Sequence, residues 1–467
     1  MRESLDALLA AVCAAPHDEV PRQVYADALI EAGDPLGEWI ALELAKARGE
    51  LARDAEARHG ELVRTLDIAV RSHGVSRGGY VTFARGFPFA LHVWGNVTSV
   101  VDLPAFATLE RLDALDEVGD ATVLAVLDHP NAANVRCISS LRLPLVARAC
   151  AEPREWTTLY IHGDDAEPLP APTVYENLPK LEALGVILEG SRRIARDAVA
   201  IAGLRQLVFR SSSDPRIETL ELPASLETLE LRFEGSGIDR LALPPSVRSL
   251  EIAGPLPRIT VAAPIALVDL SSATSVSQQQ LAAFAGTREL WLGSEHTDVA
   301  TFAALTSLEA LRLWHGPIAR DALRGLTNLR SLVMYERLER RVELAGLPLE
   351  QLDFFGPLEW IPASLPLREL TVVYPEAPGQ VTALIARFPS LAHLAVDASR
   401  VNAWQVHPAH VANWLPALAA SAIRSFTLMY DESHRRCAIE LVRDRDGRLE
   451  IAKSEPGAIA TAIGRQI

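Results

Sequence analysis

Two short stretches place acid, base or nucleophile side chains close together. Asp27 and Glu31 are four residues apart, so they would share one helix face, as a carboxylate pair for acid–base chemistry would. No histidine or set of metal ligands accompanies them at useful spacing, so we favour a solvated helix face. His434 and Cys437 could act as base and nucleophile, but no acidic residue is placed to orient the histidine. We therefore expect no catalytic residue in either stretch.

A third stretch contains residue types that bind metal ions, namely Asp397, His407 and His410 in an irregular segment. The sequence has no Cys/His cluster with metal-ligand spacing, and no GxxxxGK(S/T), HExxH or GxSxG pattern. The cysteines lie far apart and form no CxxC pair, which argues against a disulfide framework and fits a reducing compartment. We therefore expect no metal, no cofactor and no enzymatic activity. These cysteines are Cys13, Cys137, Cys150 and Cys437.

The composition describes an acidic chain with enough apolar material for a large core. Of the 467 residues, 49% are hydrophobic, and the formal net charge is −15. Because affinity for nucleic acid rests largely on Lys and Arg neutralising phosphates, we expect neither nucleic acid nor an anionic membrane as a partner. The sequence has no run of 18 apolar residues, so no membrane span is predicted. The apolar stretch LDALLAAVCAA lacks the positive flank of a signal peptide, and we expect a cytoplasmic protein.

The first 60 residues predict a compact helical unit in which proline and glycine mark the helix ends. Helix one is expected over residues 4–15 and helix two over residues 21–32. Gly33 suits the left-handed position after a helix end. Asp34 would cap helix three, which is expected over about residues 35–59.

The pattern P-R-x-V-Y-A-D-x-L-x-E-x-G-D-P-x-G-E-x-I runs from Pro21 to Ile40. It resembles the bacterial repeat-companion domain, a short helical module at the N-terminus of repeat proteins, often leucine-rich ones, of the planctomycete and myxobacterial type. The resemblance covers about residues 4–50, and Ala28 stands where a tryptophan is expected. The segment 84–93 resembles the strand that often follows this module. The resemblance implies no known catalytic activity, and it implies repeats further along the chain.

Such repeats are present as an L-x-x-L-x-L pattern. Leu290, Leu311, Leu332 and Leu352 follow one another at intervals of 21, 21 and 20 residues. A period of about 20 to 29 residues with this pattern is typical of a leucine-rich repeat solenoid, in which parallel strands line a concave face. Copies begin at residues 181, 204, 226, 247, 287, 308, 329, 349, 367, 391 and 423, with weaker copies at 138 and 156.

The connections between these strands are expected to change along the chain. Over residues 217–270 strand-like motifs follow at 9 or 12 residues, which leaves no room for a helix. We expect concave strands around residues 229, 250 and 268 and convex strands around 220, 241 and 259. After residue 270 the connecting segments have helical apolar spacing, so helices are expected on the convex side. Gly316 and Arg337 stand where such repeats usually carry an asparagine, so a conventional asparagine ladder is not expected.

The second position of each motif alternates in charge from one copy to the next. Neighbouring strands lie about 4.8 Å apart, so the aligned positions would form a column of opposite charges, each pair contributing about 0.2–1 kcal/mol. The alternation supports the alignment of the strands, and its role is structural. The column consists of Glu182, Arg205, Glu227, Arg248, Ala266, Arg288, Glu309, Arg330, Glu350 and Arg368, with Ala266 as its one interruption.

The fifth and seventh positions of the motif would face outward on the concave side, where they form a candidate binding surface. Exposed aromatic residues beside charges are typical of binding hot spots, although the rings could instead serve only to stack on each other and on flanking loops. We expect the acidic part to attract a basic, partly apolar protein partner, with slower association at higher salt. The acidic part is Glu230, Glu251 and Asp269, and the aromatic part is Trp291, Arg312, Trp314, Tyr335 and Phe355.

The predicted fold is a single α/β leucine-rich repeat solenoid with a convex side that is part strand and part helix. Asp446-Gly447 predicts a hairpin turn near the C-terminus, and this hairpin would cover the last repeat. The helical unit would cover the first coil, because a solenoid needs caps at both ends. The expected parts are a repeat-companion-like module (1–75), a transition with the first degenerate repeats (76–135), the solenoid (136–430) and a C-terminal hairpin cap (431–467).

These features predict a non-catalytic scaffold that binds an unknown protein partner on its concave face. The alternative is a substrate-recognition component of a modifying enzyme system, or a cryptic activity in the segment 397–415. A buried polar triad in a deep pocket would favour the alternative, whereas a bare concave surface would favour binding.

Overall fold

A computed structural model describes most of the chain as two compact units, residues 1–230 and 231–467. Both are mixed α/β structures with long runs of parallel strands, which is compatible with a solenoid-like fold. The described residues are 2–72, 79–97, 101–114, 119–163, 168–189, 194–212, 217–235, 237–293, 301–314, 318–335, 340–373, 379–398, 408–432 and 435–454.

The first unit begins with four helices whose ends follow local sequence signals. The Asp18 side chain accepts a hydrogen bond from the backbone N–H of Val20, and Asp34 accepts one from Leu36, both at 2.9 Å. Gly33 adopts φ +77°, which confirms the predicted left-handed residue after helix two. The helices are α1 (Arg2–Ala14), α2 (Glu19–Glu31), α3 (Pro35–Ala47) and α4 (Arg53–Ser72).

The prediction that helix three continues to residue 59 was wrong, because the chain turns after Ala47. Gly49 adopts φ +73°, a conformation that glycine reaches without steric cost. The backbone N–H of Glu50 donates to the carbonyl of Ala45 at 2.8 Å, which closes the helix end in a Schellman arrangement. The polar residues that follow therefore belong to a separate helix, α4.

The sheet of the first unit starts with an antiparallel hairpin, β1–β2, and continues from β2 to β7 with parallel neighbours. The central apolar residues of β2 to β7 lie opposite one another and are at most 1% exposed: Leu91, Leu112, Ile138, Leu159, Leu184 and Leu207. The strands are β1 (Gly79–Ala84), β2 (Phe87–Val93), β3 (Arg111–Ala114), β4 (Cys137–Arg142), β5 (Thr158–Gly163), β6 (Ala183–Leu188), β7 (Gln206–Ser211) and β8 (Ile217–Leu220).

Short helical segments connect some of these strands. They are α5 (Asp120–Leu127), α6 (Leu143–Ala149) and the 3-10 turns Pro104–Thr108, Pro130–Ala132 and Pro172–Asn177. Each 3-10 turn begins with proline, whose fixed φ suits the first position of a helical turn.

The head helices α1 to α4 share one apolar cluster with the β1–β2 hairpin. The Trp39 ring lies edge-on to Phe83 with ring centroids 5.3 Å apart, and the Tyr25 and Phe87 centroids are 5.9 Å apart. Arg22 donates through Nη1 to the carbonyl of Ala84 at 3.2 Å, and it lies 4.8 Å from the centre of the Phe87 ring. The aromatic core of this region is therefore built jointly by helices and hairpin.

The weak repeat at Ile138 has a different frame from the one that its sequence predicts. Leu112 and Leu159, the central residues of the neighbouring strands, lie opposite Ile138 rather than Leu141. A bulge follows, in which Ser140 adopts φ +60° and the backbone gains length before Leu141 pairs. The sequence pattern of this stretch is misleading because the bulge displaces Leu141 from the central position.

The second unit repeats the parallel arrangement. β11 pairs with β13, and β13 to β20 then pair in order. Its strands are β10 (Ile238–Leu243), β11 (Ser249–Ala253), β12 (Arg258–Val261), β13 (Leu267–Leu270), β14 (Glu289–Leu292), β15 (Ala310–Leu313), β16 (Ser331–Met334), β17 (Gln351–Phe354), β18 (Glu369–Val373), β19 (His393–Asp397), β20 (Ser425–Glu432), β21 (Arg435–Arg443) and β22 (Leu449–Ser454), while β9 (Thr228–Phe233) crosses the boundary between the units.

Strands on two sides of the coil, predicted before residue 270, are confirmed in this unit. β10 pairs with β12 in a small parallel sheet, separate from the sheet that contains β11 and β13. The alternation of short strands at intervals of 9 or 12 residues therefore corresponds to two sheets.

The prediction of helices after residue 270 holds only in part. The chain forms α7 (Gln278–Ala282), α8 (Gly379–Arg387), α9 (Pro408–Ala420) and a 3-10 turn at Leu358–Trp360. Residues 301–307 and 318–328 contain turns without a helix. A coil of about 20 residues leaves too few residues between two strands to extend a helix after its costly first turn, whereas α8 and α9 lie in longer coils.

Polar side chains immediately before several strand motifs bind carbonyl groups of the preceding coil. Asn328 donates to the carbonyl of Thr306 at 2.8 Å, and Ser390 donates to that of Leu367 at 3.0 Å. Asn134 makes an equivalent bond at 2.7 Å in the first unit. These bonds supply partners for turn carbonyls. Positions 316 and 337, where such repeats usually carry an asparagine, lie outside the described residues.

The predicted C-terminal turn is confirmed. β21 and β22 form an antiparallel hairpin, and Gly447 adopts φ +83° in its turn. β21 also pairs antiparallel with β20, the last strand of the parallel series. The hairpin thereby covers the edge that β20 would otherwise leave unpaired.

Candidate functional site

The aromatic part of the predicted surface lies on consecutive parallel strands. Asp269 on β13 is opposite Trp291 on β14, which is opposite Arg312 on β15. Leu290 and Leu292, the neighbours of Trp291, are buried at 0% and 2% exposure. Because side chains alternate between the faces of a strand, Trp291 and Arg312 lie on the outer face of the sheet, where both are half-buried.

Three aromatic rings follow each other across this face. The ring centroids of Trp291 and Trp314 are 5.6 Å apart with the planes tilted by 42°. Trp314 stacks on Tyr335 with a centroid distance of 4.2 Å and an angle of 21°. Gly293 lies beside this arrangement, and a Cβ atom there would come within 3.0 Å of the Cβ of Trp314 and meet the carbonyl oxygen of Ser271 even more closely. The rings are half-buried, so they stack on one another and still present surface to solvent.

Polar contacts fix the first ring in place. The indole Nε1 of Trp291 donates to Glu289 Oε1 at 2.7 Å, and Arg312 Nε lies 3.6 Å from the same oxygen. The Arg312 guanidinium lies 4.5 Å from the centre of the Trp291 ring, within cation–π distance. The cluster is therefore pre-organised, which lowers the entropic cost of a contact with a partner.

Phe355 lies immediately beyond β17, two residues after Asp353, and is half-buried. Asp353 is opposite Val333 on β16, which places Phe355 at the motif position that Tyr335 occupies one coil earlier. We name the set Trp291, Arg312, Trp314, Tyr335 and Phe355 the aromatic cluster.

The predicted acidic part is already engaged by side chains and backbone of this chain. Glu230 Oε1 lies 2.8 Å from Arg210 Nη2, and Glu251 Oε1 lies 2.6 Å from Arg232 Nη2. Asp269 accepts a hydrogen bond at 2.8 Å from the backbone N–H two residues later. Glu230 lies in the first unit, and the other predicted site residues lie in the second. Each of the three acids is therefore already engaged within its own unit.

The alternating column is aligned as predicted within each unit. The backbone N–H of Arg330 donates to the carbonyl of Glu309, and that of Glu350 donates to Arg330, both at 2.8 Å. The side chains form ion pairs along this direction, with N–O distances of 2.7 Å for Arg330–Glu350, 2.8 Å for Arg288–Glu309, 3.6 Å for Arg205–Glu227 and 3.9 Å for Arg368–Glu350. In the first unit the same backbone column continues upstream through Thr157 and Arg136 to Glu110.

A second polar cluster, absent from the predicted sites, lies on the outer face of the first unit. His92 Nδ1 is 2.9 Å from Asp113 Oδ2, and Arg111 Nε is 2.8 Å from Asp113 Oδ1. Tyr80 stacks on the His92 ring at 4.0 Å, and Arg111 Nη2 donates to Ser139 Oγ at 3.3 Å. His92, Asp113 and Ser139 lie on three adjacent strands in register. His92, Asp113 and Ser139 occupy the position after the central residue of their strands, so following the fifth motif position upstream of residue 182 would have found this cluster.

The chemistry available to His92 is limited by its surroundings. Burial lowers the pKa of His92 more than the nearby Asp113 carboxylate raises it, and the Arg111 charge lowers it further. A neutral imidazole would donate from Nδ1 to Asp113, which leaves Nε2 as an acceptor. Both oxygens of Asp113 are engaged by His92 and Arg111, so the carboxylate serves to orient its neighbours.

The three stretches that could do chemistry show no assembled site in the described part of the chain. Asp27 is exposed and accepts a hydrogen bond from Gln23 at 2.9 Å, and Glu31 is exposed, as on a solvated helix face. Cys437 is buried in β21, and Asp397 is 3% exposed at the end of β19. Residues 407 and 434 and the side chain of residue 410 lie outside the description. Among the described residues no group of three or more His, Cys, Asp or Glu side chains could hold a metal ion.

None of the helices in the described part of the chain combines the length and apolar character needed to cross a membrane. Comparisons with known proteins add no relative: no protein-family model matches the chain, and no curated protein matches it.

Proposed function

We propose that this chain is a bacterial leucine-rich repeat protein with a repeat-companion module at its N-terminus. It acts in the cytoplasm as a non-catalytic scaffold, and it binds a protein partner through the aromatic cluster on its concave face. The observation that carries this proposal is the row of three half-buried rings, Trp291, Trp314 and Tyr335, beside the guanidinium of Arg312.

The composition of the aromatic cluster supports a binding role. Trp, Tyr and Arg supply most of the energy of protein interfaces when a partner removes water from them. The rings already stack on each other, so little side-chain freedom remains to be lost on contact. Their rigid support by the buried residues of β14 to β16 makes one continuous surface rather than separate side chains.

The partner is expected to present a partly apolar surface with a basic rim. An apolar part would cover the rings, and cationic side chains can also contact ring faces. Glu251 and Asp269 would still attract cations at long range, but the ion pair with Arg232 reduces the field of Glu251. Association should slow as salt rises, and the rings rather than the acids should determine the lifetime of the complex.

The test is affinity capture with the full chain as bait, followed by mass spectrometry of the captured proteins. Trp314→Ala combined with Tyr335→Ala removes the stacked pair at the centre of the aromatic cluster. Two hot-spot residues that each contribute about 2 kcal/mol would lower affinity by more than about 100-fold, so the specific partner should disappear from the captured fraction. Circular dichroism and thermal unfolding would verify that the double variant is folded.

Trp360→Ala provides the matched control, because Trp360 is a half-buried tryptophan of the same unit that lies in a 3-10 turn outside the strands. This control should capture the partner as well as the unaltered chain does. Capture of the same proteins by the folded double variant would place the binding surface elsewhere, with α3 of the head helices as the next region to examine.

A further inference from the structure

A small cavity in the first unit lies between the head helices and the turn of the β1–β2 hairpin. Its volume is about 140 Å³, and Arg22, Arg85, His17 and Glu110 are among the residues that line it. The cavity can hold several water molecules, so a carboxylate or phosphate group also fits it.

Arg22 brings an incompletely bonded charge to this cavity. The residue is 3% exposed. Its Nη2 donates to the carbonyl of Pro16, and its Nη1 donates to the carbonyls of Ala84 at 3.2 Å and Arg85 at 3.3 Å. Its Nε is buried without a hydrogen-bond partner in the part of the chain that the structure describes. A buried cation whose donors are not all satisfied is costly, which favours a negative charge nearby, while Nε itself is too deeply buried for a group in the cavity to contact.

Arg85 occupies a backbone position that disfavours it. Arg85 at φ +53° and Gly86 at φ +78° form the two-residue turn between β1 and β2, a turn that prefers asparagine, aspartate or glycine. The Arg85 guanidinium is only loosely held, with Nη1 3.4 Å from the carbonyl of His17 and Nε 3.8 Å from Glu19. A strained residue with a weakly engaged cation at a cavity is a sign of a ligand site.

The acidic groups around the cavity do not neutralise Arg22 by contact. Glu110 Oε1 lies 3.4 Å from His17 Nδ1, and Glu19 is shared between Arg85 and Arg48, at 3.8 and 3.5 Å. Burial lowers the pKa of Arg22 and the nearby charge of Arg85 lowers it further, while the carboxylates of Glu110 and Glu19 offset this only in part. Two guanidinium groups that repel each other across a cavity are stabilised by an anion between them.

We propose that this cavity binds a small oxyanion, a carboxylate or a phosphate group, between Arg22 and Arg85. Its oxygens accept from the Arg85 guanidinium, and the buried positive charge of Arg22 in the cavity wall attracts it. Because both the α1–α2 connection and the hairpin turn contribute to the cavity, the ligand links the head helices to the sheet. Binding therefore raises the thermal stability of the chain by mass action.

The experiment measures thermal unfolding and isothermal titration of the full chain with sodium phosphate and, separately, sodium acetate, against sodium chloride at equal ionic strength. An increase in Tm with phosphate alone assigns a phosphoryl ligand, and an increase with acetate assigns a carboxylate. Arg85→Asn removes the guanidinium and introduces a residue that the turn prefers. This variant should therefore fold, and its affinity for the anion should be at least tenfold lower. Arg64→Gln, at an exposed position of α4, should leave the response unchanged.

Two results would overturn the proposal. One is the absence of any stabilisation or binding heat beyond that of chloride with both anions. The other is an equal response of Arg85→Asn and the unaltered chain, which would mean that the anion binds to the general surface. Arg85→Asn is informative even without a ligand, because a Tm above that of the unaltered chain measures the strain that Arg85 imposes on the turn.

Discussion

At the scale of single residues, Gly37 decides how closely α2 and α3 approach. A Cβ atom at this position would lie 2.6 Å from the carbonyl oxygen of Ala26 and 2.7 Å from the backbone nitrogen of Ile30. These are backbone atoms of a helix, so they cannot move aside without shifting α2 as a whole. Gly37 is itself helical, and the requirement for glycine therefore comes from packing rather than from an unusual φ.

Gly37→Ala should lower the free energy of unfolding of the first unit by about 1–3 kcal/mol, the usual cost of overpacking a close contact. Gly60→Ala provides the matched control, because nothing lies within 4 Å of a Cβ atom there and the residue lies inside α4. The control should raise stability by about 0.5–1 kcal/mol through helix propensity. Denaturant unfolding measures both, and equal stabilisation by the two substitutions would contradict the close packing of α2 and α3.

Individual residues were predictable where the signal is local. Asp34 as a helix cap and Gly33 in the left-handed region follow from short-range rules and are observed. The burial of Arg22 was not predictable, because its acceptors Ala84 and Arg85 come from a distant hairpin turn. Long-range contacts of this kind depend on the arrangement of whole elements.

At the scale of elements, the alternating column fixes which residues of neighbouring strands lie side by side. A one-residue slip would move the buried leucines to the solvent face, so burial already selects the register. The column adds a smaller preference of the same sign, through ion pairs such as that of Arg330 Nη1 with Glu350 Oε1 at 2.7 Å. Arg330 is 67% exposed, so solvent and salt screen this pair strongly.

Arg330→Glu should therefore lower the free energy of unfolding by about 0.5–1 kcal/mol at low salt, because it replaces an ion pair with a repulsion. The loss should shrink at high salt. Arg324→Glu makes the same charge change at an exposed position of the same unit outside the column, and it should change stability less. If the two variants unfold at the same denaturant concentration at low salt, the column contributes nothing measurable.

Elements were predicted well as strands and less well as helices. The strand pattern repeats many times, so errors in single copies do not hide it, although the bulge after Ile138 shifted one frame. The helical spacing of apolar residues in 318–328 was misleading. Ala322, Leu323 and Leu326 are buried as expected, but they lie in turns and not in a helix. Periodicity reports which residues are buried, and the length of the coil decides whether a helix fits.

At the scale of the whole molecule, parallel strands begin earlier than the recognisable motifs. β2 and β3 already pair in parallel, and their central leucines Leu91 and Leu112 lie in the same buried row as the central residues of β4 to β7. The head helices supply part of the core here, because Phe83 and Phe87 pack in one cluster with Tyr25 and Trp39. The candidate site also depends on parallel pairing: Trp291 and Arg312 lie side by side because β14 and β15 pair in one register.

The head helices should therefore be required for the solubility of everything that follows them. Deleting residues 2–72 removes the partners of Phe83 and Phe87, of which Phe87 is 3% exposed in the full chain, and uncovers two aromatic side chains of about 150–250 Å² each. The shortened chain should aggregate in light scattering and bind a hydrophobic dye, and Phe83→Ser with Phe87→Ser in the same deletion should reduce both signals. A deletion that stays monomeric and as heat-stable as the full chain would instead make the head helices an independent domain, because their core would then contribute nothing to the sheet.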